Sequence, residues 1–399
     1  LAPPLASPLA PPLAMRGYYI DAAAKSALDS FVYAGSDRSL LYRHLLSPLA
    51  DLLVRRCTPR RLAPNAITAA GLLLVLASAL HIFYRLPRLF ASADDDLPPW
   101  TFAAHAAALL IYQTLDNMDG KQARRTGTSS PLGLLFDHGC DAVNTPVTAV
   151  AFLAAAGFPE EPSLRDARTI FLLLFFPLAP FYMATWEEFF TARLDLPVFN
   201  GPNEGVLCAA ASFAISARMG REWWRGSHVA DALLGGRDLS NVECLALFSA
   251  ALTLRESLAR LFHVARRYGL KAWTHLLPFP ALLWGTYVLV VEERAFFAEH
   301  AALCLATIGI LFVEMVTALM LDHMTRKEFR WGRPLLAPLI MFALGRGGWP
   351  EETYPAFFLA YAAGAGVYVA LRMRIVVHEL CVALGIRCFS IQRDDEKSE

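Results

Sequence analysis

The chain is expected to be an all-α polytopic membrane protein with about ten transmembrane helices and interfacial N-terminal helices. Three observations lead there. Of 399 residues, 56% are hydrophobic and only 18% charged, with mean hydropathy +0.39, less charge than a soluble chain of this size carries. Apolar runs of about 20 residues recur, each long enough to cross a hydrocarbon core roughly 30 Å thick. The short alternating segments of a membrane barrel are missing.

Taken in order, residues 1–14 are a Pro/Ala/Leu repeat, LAPPLASPLAPPLA. It lacks the basic start and continuous apolar core of a signal peptide and is expected to be a disordered leader. Residues 15–62 alternate aromatics (Tyr18, Tyr19, Phe31, Tyr33, Tyr42) with charges and end on Arg55, Arg56, Arg60 and Arg61. That suits amphipathic helices lying on a bilayer surface; a small soluble cap is the other reading.

Spans are expected at about 66–85, 100–118, 133–156, 169–190, 204–218, 241–262, 274–291, 299–322, 334–346 and 354–372, the fifth and ninth being short. Residues 63–220 form the motif-bearing part and 221–375 additional spans for lipid access or dimerisation. Residues 376–399 form a cytosolic tail.

Charge bias sets orientation. Basic residues precede span one and follow spans two (Lys121, Arg124, Arg125), six (His263, Arg266, Arg267, Lys271) and eight (Arg326, Lys327, Arg330, Arg333). All fall on one side if both termini are cytosolic. Acidic loops fall on the other (Asp94–Asp96, Glu160, Glu161, Glu292, Glu293, Glu351, Glu352), and one loop, carrying Arg218, Arg221 and Arg225, disagrees. The zero net charge gives no case for nucleic acid. The seven scattered cysteines read as small hydrophobes, with no disulfide framework and no zinc site.

The chemistry lies in residues 116–141, DNMDGKQARRTGTSSPLGLLFDHGCD. Four carboxylates at the ends of membrane helices are too costly to be packing filler. Asp116 and Asp119 are three apart and share a helix face; Asp137 and Asp141 are four apart and share a face of the next helix. Ser130-Pro131 reads as N-cap and first helical residue, so a turn over 126–130 brings the two faces together. Four converging carboxylates call for about two divalent cations, and oxygen ligands favour Mg2+, Mn2+ or Ca2+ over zinc. Such a clamp suits phosphoryl transfer. Gly120 and Gly133 allow close approach of a ligand or backbone, and Arg124 offers a planar fork for phosphate. The bland alternative is helix-end aspartates paired with Lys121, Arg124 and Arg125.

The stretch resembles the CDP-alcohol phosphotransferase family. DGKQARRT, SSPLG, LFDHG, Pro64-Asn65-Ala66-Ile67-Thr68, TWEEFF (185–190), HMTR (323–326) and LGIRCFSI (384–391) are similar to its eukaryotic choline/ethanolamine phosphotransferase branch. LPVFNGPNEG (196–205) looks most like the plant and algal aminoalcohol enzymes. The resemblance covers about residues 16–391. It implies Asp116, Asp119, Asp137 and Asp141 as metal ligands and Mg2+ or Mn2+ as cofactor, two ions being expected. It also implies Gly120, Ala123, Arg124, Gly133 and Asn65 around the CDP moiety, and a homodimer. The implied activity is transfer of phosphoethanolamine or phosphocholine from CDP-ethanolamine or CDP-choline to diacylglycerol, giving phospholipid and CMP. The implied setting is the endoplasmic reticulum or Golgi membrane, with the site facing the cytosol.

Two residues compete as general base. The resemblance gives the role to Asp141. A metal-bound carboxylate is a weakened base, whereas the neighbouring imidazole of His138 belongs to a class that titrates near neutral pH. His138 could equally serve as partner to an aspartate. Glu204 opens the fifth span and would face the site or an ammonium head group; a helix-start acid favoured by the dipole is the other reading. Trp186 and Glu187 suggest a cation–π contact with choline or a belt tryptophan at the interface. His323 reads as structural.

Rival classes are an intramembrane prenyltransferase and a divalent-cation transporter. The first needs a second Asp-rich motif, and only isolated Asp195, Asp238 and Asp322 are present. The second would spread acids through several helices at mid-membrane.

Overall fold

A computed structural model describes residues 17–90, 97–196, 202–236, 238–330, 332–345 and 348–391. The expected leader 1–14 and part of the 196–205 stretch lie outside them. In chain order the helices are α1 (Ala22–Asp29), α2 (Ser47–Arg56), α3 (Pro64–Arg85), α4 (Pro99–Thr126), α5 (Pro131–Ala155), α6 (Leu164–Thr191) and α7 (Pro202–Met219). They continue as α8 (His228–Leu234), α9 (Asn241–Tyr268), α10 (Lys271–Thr274), α11 (Pro278–Tyr287), α12 (Arg294–Met324), α13 (Ala337–Gly345) and α14 (Tyr354–Leu384).

A helix stands at each of the ten positions expected for a span. Three of them, α3, α6 and α12, are long and apolar enough to cross a membrane. α13 has only 9 residues, about 14 Å at 1.5 Å per residue. α14 runs on through Leu384, well past the expected end of the tenth span.

The helix termini follow local chemistry. Ser130 caps α5, its hydroxyl accepting from the Gly133 amide at 3.2 Å, with Pro131 at the first helical position. Gly127 ends α4 at φ +69°, a left-handed conformation a side chain would strain. The Thr128 amide then bonds the Ala123 carbonyl at 2.9 Å, and the chain reverses within a few residues. Ser163 with Asp166 and Ser240 with Glu243 form capping boxes at α6 and α9, each satisfying otherwise orphaned amides.

The core lies along α12, which packs on α5, α6 and α14. Pro146 of α5 abuts Gly309 of α12, where an added Cβ would lie 3.3 Å away. Around the motif, α3, α5 and α7 pack on α4 or on one another.

Two findings modify the sequence reading. First, β1 (Gly35–Asp37) pairs in parallel with β2 (Leu194–Leu196), Gly35 opposite Leu194. This small sheet is an exception to the all-α expectation. It ties the N-terminal region to the end of α6, with the Ser36 hydroxyl donating to Asp195 at 2.6 Å. Second, the N-terminal region is bolted to the bundle. Glu379 of α14 accepts from the Tyr18, Tyr19 and Ile20 amides at 2.7, 2.8 and 2.8 Å, and Lys327 donates to the Tyr19 carbonyl at 2.7 Å. Asp21 caps α1 by accepting from Ala24. That bond, with Lys327 nearby, holds its carboxyl below the usual range despite some burial.

Trp186 is fully buried and edges onto Phe190 at 5.5 Å, so it is neither a belt residue nor an accessible cation–π face. Glu187 is taken by Arg260 and by His263 at 2.6 Å.

Glu379→Ala removes one acceptor from three amides, bonds of the charge-assisted kind. Amide exchange at Tyr18–Ile20 is expected to accelerate about tenfold or more; unchanged exchange by mass spectrometry would show that Glu379 does not anchor this segment.

Candidate active site

The tight turn between α4 and α5 makes the two helices antiparallel neighbours, and their aspartates meet. Ligand oxygens of Asp116, Asp137 and Asp141 lie within 4.8 Å of one another. The carboxylates sit inside the helices rather than at their ends: α4 continues ten residues beyond Asp116 to Thr126, about 15 Å. One oxygen each of Asp116 and Asp137 is buried with no hydrogen-bond partner.

Asp119 stands outside the trio and takes a hydrogen bond from the Thr68 hydroxyl of α3. Asp141 accepts from the Tyr112 hydroxyl at 2.6 Å. Thr68 and Tyr112 were not singled out from sequence, although spacing pointed to both. Tyr112 is one turn before Asp116 on α4, and Thr68 is one turn after Asn65 on α3.

His138 lies beside the cluster, its Nδ1 3.6 Å from an Asp137 oxygen and making no hydrogen bond. That separation exceeds a hydrogen bond. The imidazole is therefore adjacent to the carboxylates without being tied to them.

The basic residues after Asp119 divide by role. Lys121 bonds Ser47 at 2.9 Å and pairs with Asp51 at 3.2 Å. Arg125 donates to the Val54 carbonyl and, at 2.9 Å, to the Thr58 carbonyl. Gln122 bonds the Pro59 and Leu62 carbonyls at 3.0 Å each. These contacts strap the end of α4 to α2 and the loop after it. None of the three cations pairs with a motif aspartate, so the pairing alternative fails. Arg124 makes no hydrogen bond or ion pair among the described residues and lines a cavity of about 340 Å3 with Asp51, Val54, Arg55, Lys121 and Arg125. Gly120 leaves its side of α4 open beside it; an added Cβ would lie 3.5 Å from an Arg124 nitrogen. Ala123, adjacent in sequence, keeps that stretch of helix narrow.

Asn65 is buried at the start of α3. Its Oδ1 lies 3.7 Å from where a Cβ on Gly133 would be, so α3 and the first turn of α5 meet there. Its amide nitrogen donates to the Cys388 carbonyl at 3.0 Å.

Glu204 is not brought to the aspartates. It lies in the first turn of α7, where one oxygen accepts from the Ser39 hydroxyl and the other is buried without a partner. Its neighbour Asn203 joins α7 to α4 and to the N-terminal loop, accepting from Gln113 and donating to Asp37, both at 2.6 Å. Burial pushes the Asp37 carboxyl above its usual range, against the Ser39 amide that lowers it, and the charge of Glu204 raises it further. His323 lines a separate cavity of about 320 Å3 with Phe31, Phe189, Asp322 and Lys327.

The trio's own ligand atoms are all carboxylate oxygens. Unpartnered buried carboxylate oxygens at this spacing fit a hard divalent cation such as Mg2+ or Mn2+. Fold and site together define a helical membrane protein with a carboxylate cluster between two of its helices. The family model for CDP-alcohol phosphatidyltransferase matches residues 61–223, the segment that carries the cluster. Choline/ethanolaminephosphotransferase 1 of Arabidopsis thaliana is 31% identical over 401 residues, covering 94% of this chain and 99% of that protein. Choline/ethanolaminephosphotransferase 1 of Saccharomyces cerevisiae is 28% identical over 94% of this chain and 99% of its own length. Cholinephosphotransferase 1 of Gallus gallus is 40% identical over 167 residues, 42% of this chain and 47% of its own. The chain belongs to the CDP-alcohol phosphatidyltransferase family and is a transferase.

Tyr112→Phe deletes the hydroxyl that orients Asp141. Affinity for Mn2+ is expected to fall about tenfold or more, as for other groups that hold a ligand in place. Equal affinities by titration calorimetry would mean that Tyr112 does not set the position of Asp141.

Proposed function

We infer that this chain transfers phosphocholine or phosphoethanolamine from CDP-choline or CDP-ethanolamine to diacylglycerol, releasing CMP. The observation that carries the reading is the convergence of Asp116, Asp137 and Asp141 with partnerless buried oxygens, in a chain similar along nearly its whole length to enzymes with those names.

Asp116, Asp119, Asp137 and Asp141 would hold Mg2+ or Mn2+, two ions by charge count. Bound there, the ions supply neutralisation of the pyrophosphate and of the departing CMP. The chain's own residues do the rest. Arg124, without a hydrogen bond or ion pair among the described residues, would take a phosphate through its fork. Gly120 and Gly133 leave room for the nucleotide, with Asn65 beside Gly133 and Ala123 in the same stretch of α4. Tyr112 and Thr68 hold two of the four carboxylates in orientation.

His138 is the better-placed base. Asp141 is committed to Tyr112 and to the cluster, whereas the His138 imidazole makes no hydrogen bond through Nδ1. The hydroxyl proton of diacylglycerol passes to His138 as its oxygen bonds the β-phosphorus and the bond to CMP breaks. Glu204, with one uncommitted oxygen on α7, offers a carboxylate to the ammonium head group from the rim.

The setting proposed is the endoplasmic reticulum or Golgi membrane. About ten spans, both termini cytosolic, would put the site at the cytosolic face. Exposed Leu45, Leu49 and Leu52 form an i, i+4, i+7 stripe that suits residues 42–56 to the bilayer surface. A homodimer is expected.

Purified protein with diacylglycerol, Mg2+ and either CDP-alcohol should yield phospholipid and CMP, and chelation should stop it. Asp119→Asn is expected to lose about a hundredfold or more of turnover. His138→Ala should lose about 10²–10⁴-fold; a variant that keeps most of its rate would return the base role to Asp141. Divalent-cation flux without CDP-dependent turnover would instead support the transporter reading.

A further inference from the structure

The last described residues pack against the site. Gly385 ends α14 at φ +65°, and the Ile386 amide bonds the Cys381 carbonyl at 3.0 Å, so the chain turns back on itself. Phe389 then meets Phe136, the residue before Asp137, edge-to-face at 5.4 Å. Cys388 meets Asn65: its carbonyl accepts from Asn65 Nδ2 at 3.0 Å, and its sulfur lies 3.5 Å from the same nitrogen.

This contact decides which way the Asn65 amide points. A carbonyl only accepts, so Nδ2 must face Cys388, and the usual ambiguity of an amide flip is removed. Oδ1 is left facing Gly133, accepting nothing among the described residues. Thr68, one turn along the same helix, binds Asp119. Asn65 therefore presents an acceptor at the edge of the carboxylate site.

We propose that Ile386–Phe389 forms one wall of the nucleotide site, with the Cys388 carbonyl as a positioning group. It holds Asn65 so that Oδ1 receives a hydrogen-bond donor from the nucleotide. A cytidine nucleotide has two kinds of donor, the exocyclic amine of the base and the ribose hydroxyls. This deepens the function proposed above and rests on it.

The test uses the full-length chain. In Phe389→Ala the KM for the CDP-alcohol is expected to rise about five- to tenfold, the loss of roughly one oriented hydrogen bond. The KM for diacylglycerol should stay unchanged, and Phe389→Tyr should restore the donor KM. Alkylation of Cys388, followed by peptide mapping, should be slowed several-fold by CMP with Mg2+, while alkylation of exposed Cys57 should not. Competition by CMP, deoxy-CMP and UMP tells the two donors apart. In Phe389→Ala the preference for CMP over deoxy-CMP should weaken if a ribose hydroxyl is bound, and over UMP if the amine is bound.

A donor KM within about twofold of wild type, or an equal rise in both KM values, would overturn the proposal while leaving the transferase reading intact. A wild-type chain inert with both donors would instead overturn the assigned substrates. CMP protection of Cys388 would then still decide whether the tail borders a nucleotide.

Discussion

Mutual repulsion among carboxylates at the α4–α5 junction is the constraint around which the surrounding structure is arranged. At separations within 4.8 Å, each charged pair costs about 3.5 kcal/mol even at an effective dielectric of 20. A helical hairpin gains nothing in packing by accepting that cost. The arrangement makes sense if positive charge arrives to offset it, and one oxygen each of Asp116 and Asp137 is buried with no protein partner to do so.

Much of the neighbouring structure keeps the carboxylates in place without neutralising them. Thr68 and Tyr112 each give a single hydroxyl to an aspartate. Lys121, Gln122 and Arg125 turn away to α2 and the following loop, fixing the end of α4 while staying off the cluster. The cations nearest in sequence are thus structural, and among the described residues Arg124 alone of the motif's three has no hydrogen bond or ion pair. Such a division leaves the carboxylate cluster without a protein cation to neutralise it among the described residues.

The hairpin was legible because its information is local. Spacings of three and four residues placed the aspartates on facing sides, and Ser130-Pro131 marked the start of α5. What escaped was set by tertiary contact. Trp186 looked interfacial because its neighbours in sequence are apolar and charged, but the bundle encloses it. Glu187 looked available, but Arg260 and His263, more than 70 residues away, claim it. Asn65 gave no hint of its bond to Cys388, 323 residues on. The β1–β2 pairing joins three-residue segments far too short to show an alternating pattern. Glu204 carried two readings, a head-group carboxylate and a helix-start acid; it stands in the first turn of α7, and its bond to Ser39, 165 residues away, could not be read from either.

The most direct test of the central claim is the stoichiometry of Mn2+ bound to purified protein, read by electron paramagnetic resonance. The account predicts two bound ions close enough to couple magnetically, with Asp137→Asn losing at least one and the coupled signal vanishing. Protein that binds no Mn2+, or binds it equally well after that substitution, would contradict the assignment of these carboxylates to a metal site.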